Sequence, residues 1–207
     1  MIISLQLANI EYMFFCVWHF CSVYGYRLLE NHYKTGKMTH MDIKKRNQQF
    51  LLEIDNNKDL KATRDSLVKG QHPSLIVVCC SDSRVVPEKI LSCSLGEIFV
   101  IRTAGNVINE GELASISYAI EHLHINHILI MGHTHCGAIH SVIHNEGFLY
   151  SDPIAKRIKH NILDIEDEKT ASEVNASKEA EYLKEKFPDY QGTIEYKIYD
   201  IETSILY

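Results

Sequence analysis

Three side chains have the types and spacing of a metal site. Cys80 follows the apolar run Leu75–Cys79, and His133 and Cys136 lie three residues apart just after the apolar run His127–Met131. Thiolate, imidazole and thiolate form a borderline-soft donor set that suits zinc. In a turn, the three-residue offset brings His133 and Cys136 to one side, and Cys80 would arrive from a neighbouring strand. Three protein ligands leave the fourth tetrahedral position to water, which is the catalytic kind of site. Each motif alone is weak, since either cysteine is equally well read as a core thiol. Both at the ends of buried strands make a stronger signal. A closed structural zinc site is the competing reading. It needs a fourth ligand, and His135 is the nearest, but as the residue before Cys136 it should point elsewhere.

Asp82 and Arg84 follow Cys80 at a spacing of two. On an extended stretch they emerge on the same side and can form a bidentate pair. The bland reading is an ion pair at a strand end. The functional one is that Arg84 fixes the Asp82 carboxylate beside the metal, to accept a hydrogen bond from water or to ligate when Arg84 lets go. The six cysteines are too few for a disulfide scaffold, and the adjacent Cys79 and Cys80 would point to opposite faces of a strand. Thiols beside such a site read as reduced, hence an intracellular and cytoplasmic setting.

These residues must be positioned by an α/β domain. Leu75–Cys79, Glu97–Ile101 and His127–Met131 are short continuous apolar runs, as in parallel strands buried on both faces, and Thr193–Tyr199 reads as a closing strand. Helices are predicted over Asp42–Ile54, with Ile43, Phe50, Leu51 and Ile54 on one face, and over Asp59–Lys69, Glu112–Leu123, Ala138–His144 and Glu179–Phe187. Residues 161–177 are acidic and polar, and read as a solvated loop or helix face. Strands alternating with helices imply a mainly parallel sheet flanked by α-helices in a single domain.

The chain has 207 residues, 45% apolar and 23% charged, which is ordinary globular usage. Its net charge of −6 offers no broad positive field, so nucleic acid is not an expected partner. Residues 1–40 form an N-terminal extension of unknown role ahead of the domain at 41–207. Eight of the chain's 19 aromatic residues fall between Tyr12 and Tyr33, but the longest apolar run there, Tyr12–Trp18, is far short of the ~18–20 residues of a membrane helix. A weak anchor or organelle-targeting segment, an added structured piece, and sequence the functional protein does not need remain as three readings.

Cys80-Ser-Asp-Ser-Arg-Val-Val-Pro-Glu88, Gly96-Glu-Ile-Phe-Val-Ile-Arg-Thr-Ala-Gly-Asn106 and Gly132-His-Thr-His-Cys-Gly137 together resemble the β-class carbonic anhydrases, in order and spacing, from about Lys44 to Tyr207. The resemblance implies one zinc per subunit on Cys80, His133 and Cys136, a catalytic dyad of Asp82 and Arg84, and a homodimer or a multiple of dimers. It places Gln71, Phe99, Ala104, Tyr118 and Gly137 around the substrate pocket, partly from a neighbouring subunit. Val77 stands where some members carry a tryptophan beside an inhibitory bicarbonate, so that site is not expected here, although Arg102 is present.

The implied reaction is the reversible hydration of carbon dioxide to bicarbonate and a proton, by attack of zinc-bound hydroxide that Asp82 orients: a zinc lyase, or carbonate dehydratase. Two thiolates offset the zinc charge, so activity should be higher above about pH 8 than near 7, because water is acidified less than at a three-histidine site. His135, His140, His144 or buffer would carry the proton away. The alternatives are a carbon disulfide or carbonyl sulfide hydrolase on the same fold, and a non-catalytic zinc or dimerisation module.

Overall fold

The computed structural model describes residues 43–146 and 152–207. The N-terminal extension at 1–40 therefore lies outside the described residues. The described residues fall into two units, one up to Lys58 and the other Asp59–Tyr207. In the first, helix α1 spans Ile43–Asn56. Of its predicted apolar face only Ile54 is buried, while Ile43, Phe50 and Leu51 are exposed.

The second unit is an α/β domain. Helix α2 (Lys58–Ser66) leads into strand β1 (Leu75–Cys80), short helix α3 (Pro87–Ile90) and strand β2 (Ile98–Thr103). A 3-10 turn (Ala104–Asn106), helix α4 (Glu110–Leu123) and strand β3 (His127–His133) come next. Helices α5 (Gly137–Ile143), α6 (Pro153–Ile162) and α7 (Glu168–Lys186) precede strand β4 (Thr193–Tyr199). All four strands are parallel, in the order β2-β1-β3-β4. Helix α4 begins at a capping box, in which Glu112 accepts the backbone N–H of Asn109 at 2.9 Å.

One face of the sheet offers Ile76, Val78, Ile128, Ile130 and Ile198, packed with Ile116 and Ala119 of α4 and Ala176, Ala180 and Leu183 of α7. Val77, Cys79, Leu129 and Met131 alternate onto the other face, with Val85. Burial on both faces explains the unbroken apolar runs of β1 and β3, whereas β2, at the sheet edge, is only half-buried, contrary to the expectation for its run.

The strand order has a functional consequence. From β1 the chain goes to β2 on one side, then crosses to β3 on the other. The carboxyl ends of β1 and β3 thus flank a topological switch point, where open α/β sheets form their ligand crevice. Cys80 ends β1 and His133 ends β3.

One expectation is overturned. Residues 168–177 are not a solvated surface but the first half of the 19-residue α7, with Ala171, Ser172, Asn175 and Ala176 buried. The buried face is built of small and polar residues, so it carries no apolar stripe to read. Gly132 lets this helix approach, since a Cβ there would lie 3.1 Å from Ala176 Cβ and 2.9 Å from Ile198 Cδ1. The buried polar side chains of this helix are satisfied. Glu179 Oε1 accepts from Arg157 Nε at 2.9 Å and Asn161 Nδ2 at 2.7 Å, and its Oε2 accepts from the Ile108 backbone N–H at 3.2 Å.

Candidate metal centre

Cys80, His133 and Cys136 are all buried, and one ligand atom from each lies within 4.8 Å of the others. The two sulfurs are 3.9 Å apart. Tetrahedral zinc with Zn–S bonds of about 2.3 Å spaces two sulfurs by about 3.8 Å, so the thiols stand at ligand separation. His133 Nδ1 lies 2.9 Å from the Thr134 carbonyl oxygen, which fixes Nδ1 as the protonated nitrogen. The lone pair is then on Nε2, and that atom is buried with no hydrogen-bond partner among the described residues. An orphaned buried acceptor beside two thiols fits a metal ligand and costs stability otherwise.

The surrounding backbone favours a thiolate. The N–H groups of Asp82 and Gly105 donate to Cys80 Sγ at 3.4 and 3.3 Å. The hydrogen bond between the two sulfurs lowers the Cys80 pKa well below the thiol range and raises that of Cys136. Gly105 has φ +64° and its Cβ would lie 2.7 Å from Ile158 Cδ1, so the position that brings this N–H to the sulfur suits glycine. Its carbonyl accepts from Asn175 Nδ2 at 2.8 Å, which ties the turn to α7.

Asp82 and Arg84 form the bidentate pair expected of them, with Arg84 Nε donating to Oδ1 at 3.0 Å and Nη2 to Oδ2 at 2.8 Å. The backbone is a turn rather than extended, because Val85 N–H donates to the Asp82 carbonyl at 3.0 Å and Arg84 N–H to Asp82 Oδ1 at 2.9 Å. Arg84 holds the Asp82 carboxyl down at about 2. Its Nη2 also donates to the His135 carbonyl at 3.0 Å, which clamps the loop after β1 to the loop after β3.

The other predicted residues divide. Phe99 and Tyr118 come together with ring centroids 6.4 Å apart, Tyr118 being 47% exposed. Ala104 opens the turn that carries Gly105, and Gly137 opens α5 directly after Cys136. Gln71 stands exposed on the loop leading into β1, joined to the cluster by no hydrogen bond among the described residues. The His135 side chain turns away to Glu202, at 3.1 Å, while His140 and His144 gather at Glu168.

Arg102 has a role the sequence did not reveal. Its Nε donates to the Cys80 carbonyl at 3.2 Å, and its Nη2 to those of Asp82 and Val85, both at 2.7 Å. It organises the turn that presents Asp82. The buried residues Asn161, Asn175 and Glu179 were missed too, although the i, i+4 spacing of Asn175 and Glu179 is a signal of one helix face.

Comparison with known proteins places this geometry. The family model described as carbonic anhydrase matches residues 75–201, from the start of β1 to just beyond β4. The chain belongs to the β-carbonic anhydrase family. A carbonic anhydrase of Synechococcus elongatus is 47% identical over 85 residues, 38% of this chain and 31% of that protein. Carbonic anhydrase 2 of Mycobacterium tuberculosis is 38% identical over 105 residues, 48% of this chain and 51% of the relative. The chain thus spans about a third to a half of the length of these curated relatives. The solved β-carbonic anhydrase CcaA is 28% identical with a TM-score of 0.67, over 79% of this chain and 86% of that one. β-Carbonic anhydrases are zinc enzymes whose general reaction is carbon dioxide hydration, and the Cys80–His133–Cys136 group is able to bind a metal. No helix among the described residues is long and apolar enough to cross a membrane.

Proposed function

We propose that this chain catalyses the reversible hydration of carbon dioxide to bicarbonate and a proton at one zinc per subunit, held by Cys80 Sγ, His133 Nε2 and Cys136 Sγ. The observation that carries the reading is the convergence of these donors, one of them an otherwise unpartnered buried imidazole nitrogen. Zinc there supplies a Lewis acid that makes water acidic enough to furnish a nucleophile near neutral pH.

The chain's residues do the rest. Asp82 stays ionised at every physiological pH, because Arg84 holds its pKa at about 2. Its carboxylate is therefore a fixed acceptor that orients the attacking water. Both of its oxygens are engaged by Arg84, which supports an open site over an Asp82-ligated one. The Glu202 contact of His135 supports the open site too, since it takes the nearest fourth donor away. Phe99, Tyr118 and Ala104 line the apolar side where carbon dioxide sits, with Gln71 and the Gly137 backbone at its polar edge. The exposure of Tyr118 beside Phe99 suits a pocket completed by a second copy, in a homodimer or a multiple of it. The free thiols of Cys79, Cys80, Cys93 and Cys136 among the described residues support an intracellular setting.

Stopped-flow carbon dioxide hydration on zinc-loaded, reduced protein tests this. The expected result is a rate far above buffer that vanishes in Cys80→Ser and falls in Asp82→Asn with zinc retained. The rate should rise from near neutrality to above about pH 8, since two thiolates weaken water acidification. A folded, zinc-replete sample without hydration activity would sink the proposal.

A further inference from the structure

We propose that His140, His144 and Glu168 form a second divalent-metal site, open to solvent and of imidazole–carboxylate type, with Glu146 supporting His140 from behind. His140 lies in α5 and His144 caps its C-terminus, an i, i+4 spacing that stacks both rings on one face, with centroids 4.4 Å apart. The first residue of α7 supplies Glu168, and its position is fixed by the Asp167 cap, which accepts the Thr170 N–H at 2.8 Å. One ligand atom from each of the three lies within 4.8 Å of the others.

The distances suit coordination. Zinc bonds to nitrogen or oxygen of about 2.0–2.1 Å put tetrahedral neighbours about 3.3 Å apart. His144 Nε2 is 3.4 Å from Glu168 Oε1, already at that spacing. His140 Nδ1 is 2.6 Å from the same oxygen, a hydrogen bond that must open by about 0.7 Å, and the half-exposed side chains leave room for that. With Nδ1 as ligand, His140 turns Nε2 toward Glu146 Oε2 at 3.5 Å. A carboxylate behind a ligating imidazole is the usual outer partner of a metal-bound histidine. Two imidazoles and a carboxylate favour zinc, copper or nickel over the hard cations, and leave a position for water. The first centre is sulfur-rich and buried; this one has no sulfur and lies at the surface, so the two need not fill together.

Equilibrium dialysis of the full chain against buffered zinc chloride, read by elemental analysis, tests the proposal. The expected result is two zinc ions per chain, falling to one in the His140→Ala/His144→Ala double variant, whose positions are exposed enough to leave the fold intact. Glu146→Gln should weaken only the second ion, about tenfold. Cobalt(II) separates the centres without mutation. Sulfur-to-cobalt charge-transfer absorption reports Cys80 and Cys136, and a further sulfur-free equivalent reports the histidine site. Loss of the charge-transfer band alone would count against the proposed catalytic centre and leave this inference standing. A second zinc that survives the double histidine variant, or no sulfur-free equivalent at all, would overturn it.

Discussion

Gly105→Ala probes the link between the fold and the metal centre. Gly105 has φ +64° and ψ 21°, donates its N–H to Cys80 Sγ at 3.3 Å, and accepts from Asn175 at 2.8 Å. A residue with a side chain pays about 1–2 kcal/mol for the left-handed backbone. The new methyl would lie 2.7 Å from Ile158 Cδ1, and forcing it into a packed core adds about 1–3 kcal/mol. The substitution should therefore destabilise the protein by about 2–5 kcal/mol. Ile158→Val separates the two contributions because it deletes Cδ1. The nearest atoms are then Ala138 Cβ and Ile158 Cγ1, both at the ordinary contact distance of 3.5 Å. Alone, Ile158→Val should cost about 0.5–1.5 kcal/mol. With the clash removed, the double variant should be more stable than the sum of the singles by the steric contribution of about 1–3 kcal/mol, so that only the backbone cost of Gly105→Ala adds to that of Ile158→Val. Urea unfolding of reduced protein at fixed zinc concentration measures all four corners of the cycle. Competition with a chelator should show weaker zinc binding in Gly105→Ala, as its N–H leaves the sulfur. Additivity within about 0.5 kcal/mol would refute the steric argument, and unchanged zinc affinity would refute the link to Cys80.

Glu179→Ala should cost about 3–5 kcal/mol, because it strands Arg157 and the Ile108 N–H around a fully buried position, and Glu179→Gln should cost less. Thermal unfolding checks this, with a drop of roughly 6–20 °C expected for the alanine variant. Arg84→Ala should return Asp82 from about 2 to the ordinary carboxylate range near ~3.9, which carboxyl NMR titration reads directly. In sign, the wild-type pair stabilises the fold fully above the unfolded carboxylate pKa, and that stabilisation is lost as pH falls through about 2; the variant lacks it. Alkylation near pH ~8 should spare Cys79, whose pKa burial pushes up to about 12, whereas chelation should expose Cys80 as the first of the buried thiols to react. Equal labelling of Cys79 and Cys80 would mean that chelation opens the whole domain.

Much of this protein is legible in its sequence because the signals are local. Parallel strands write themselves as apolar runs at β1, β2 and β3, and these and the less apolar β4 appear within a few residues of their observed limits. The soft donors Cys80, His133 and Cys136 stand at the ends of two of those runs, and Asp82 and Arg84 are close enough in sequence to pair whatever the turn. Only tertiary structure decided that β1 lies between β2 and β3, which sets the donors across a switch point from one another. It alone engaged Arg102 with three carbonyls, because which acceptors a long cation meets depends on strands pairing far apart in sequence. The first half of helix α7 was hidden for a related reason. Asn175 looks like wetted surface, and Glu179 like an exposed helix start, until Arg157, Asn161 and the Gly105 carbonyl arrive from elsewhere to satisfy them. A polar residue's burial depends on its partners, and those are settled only by folding.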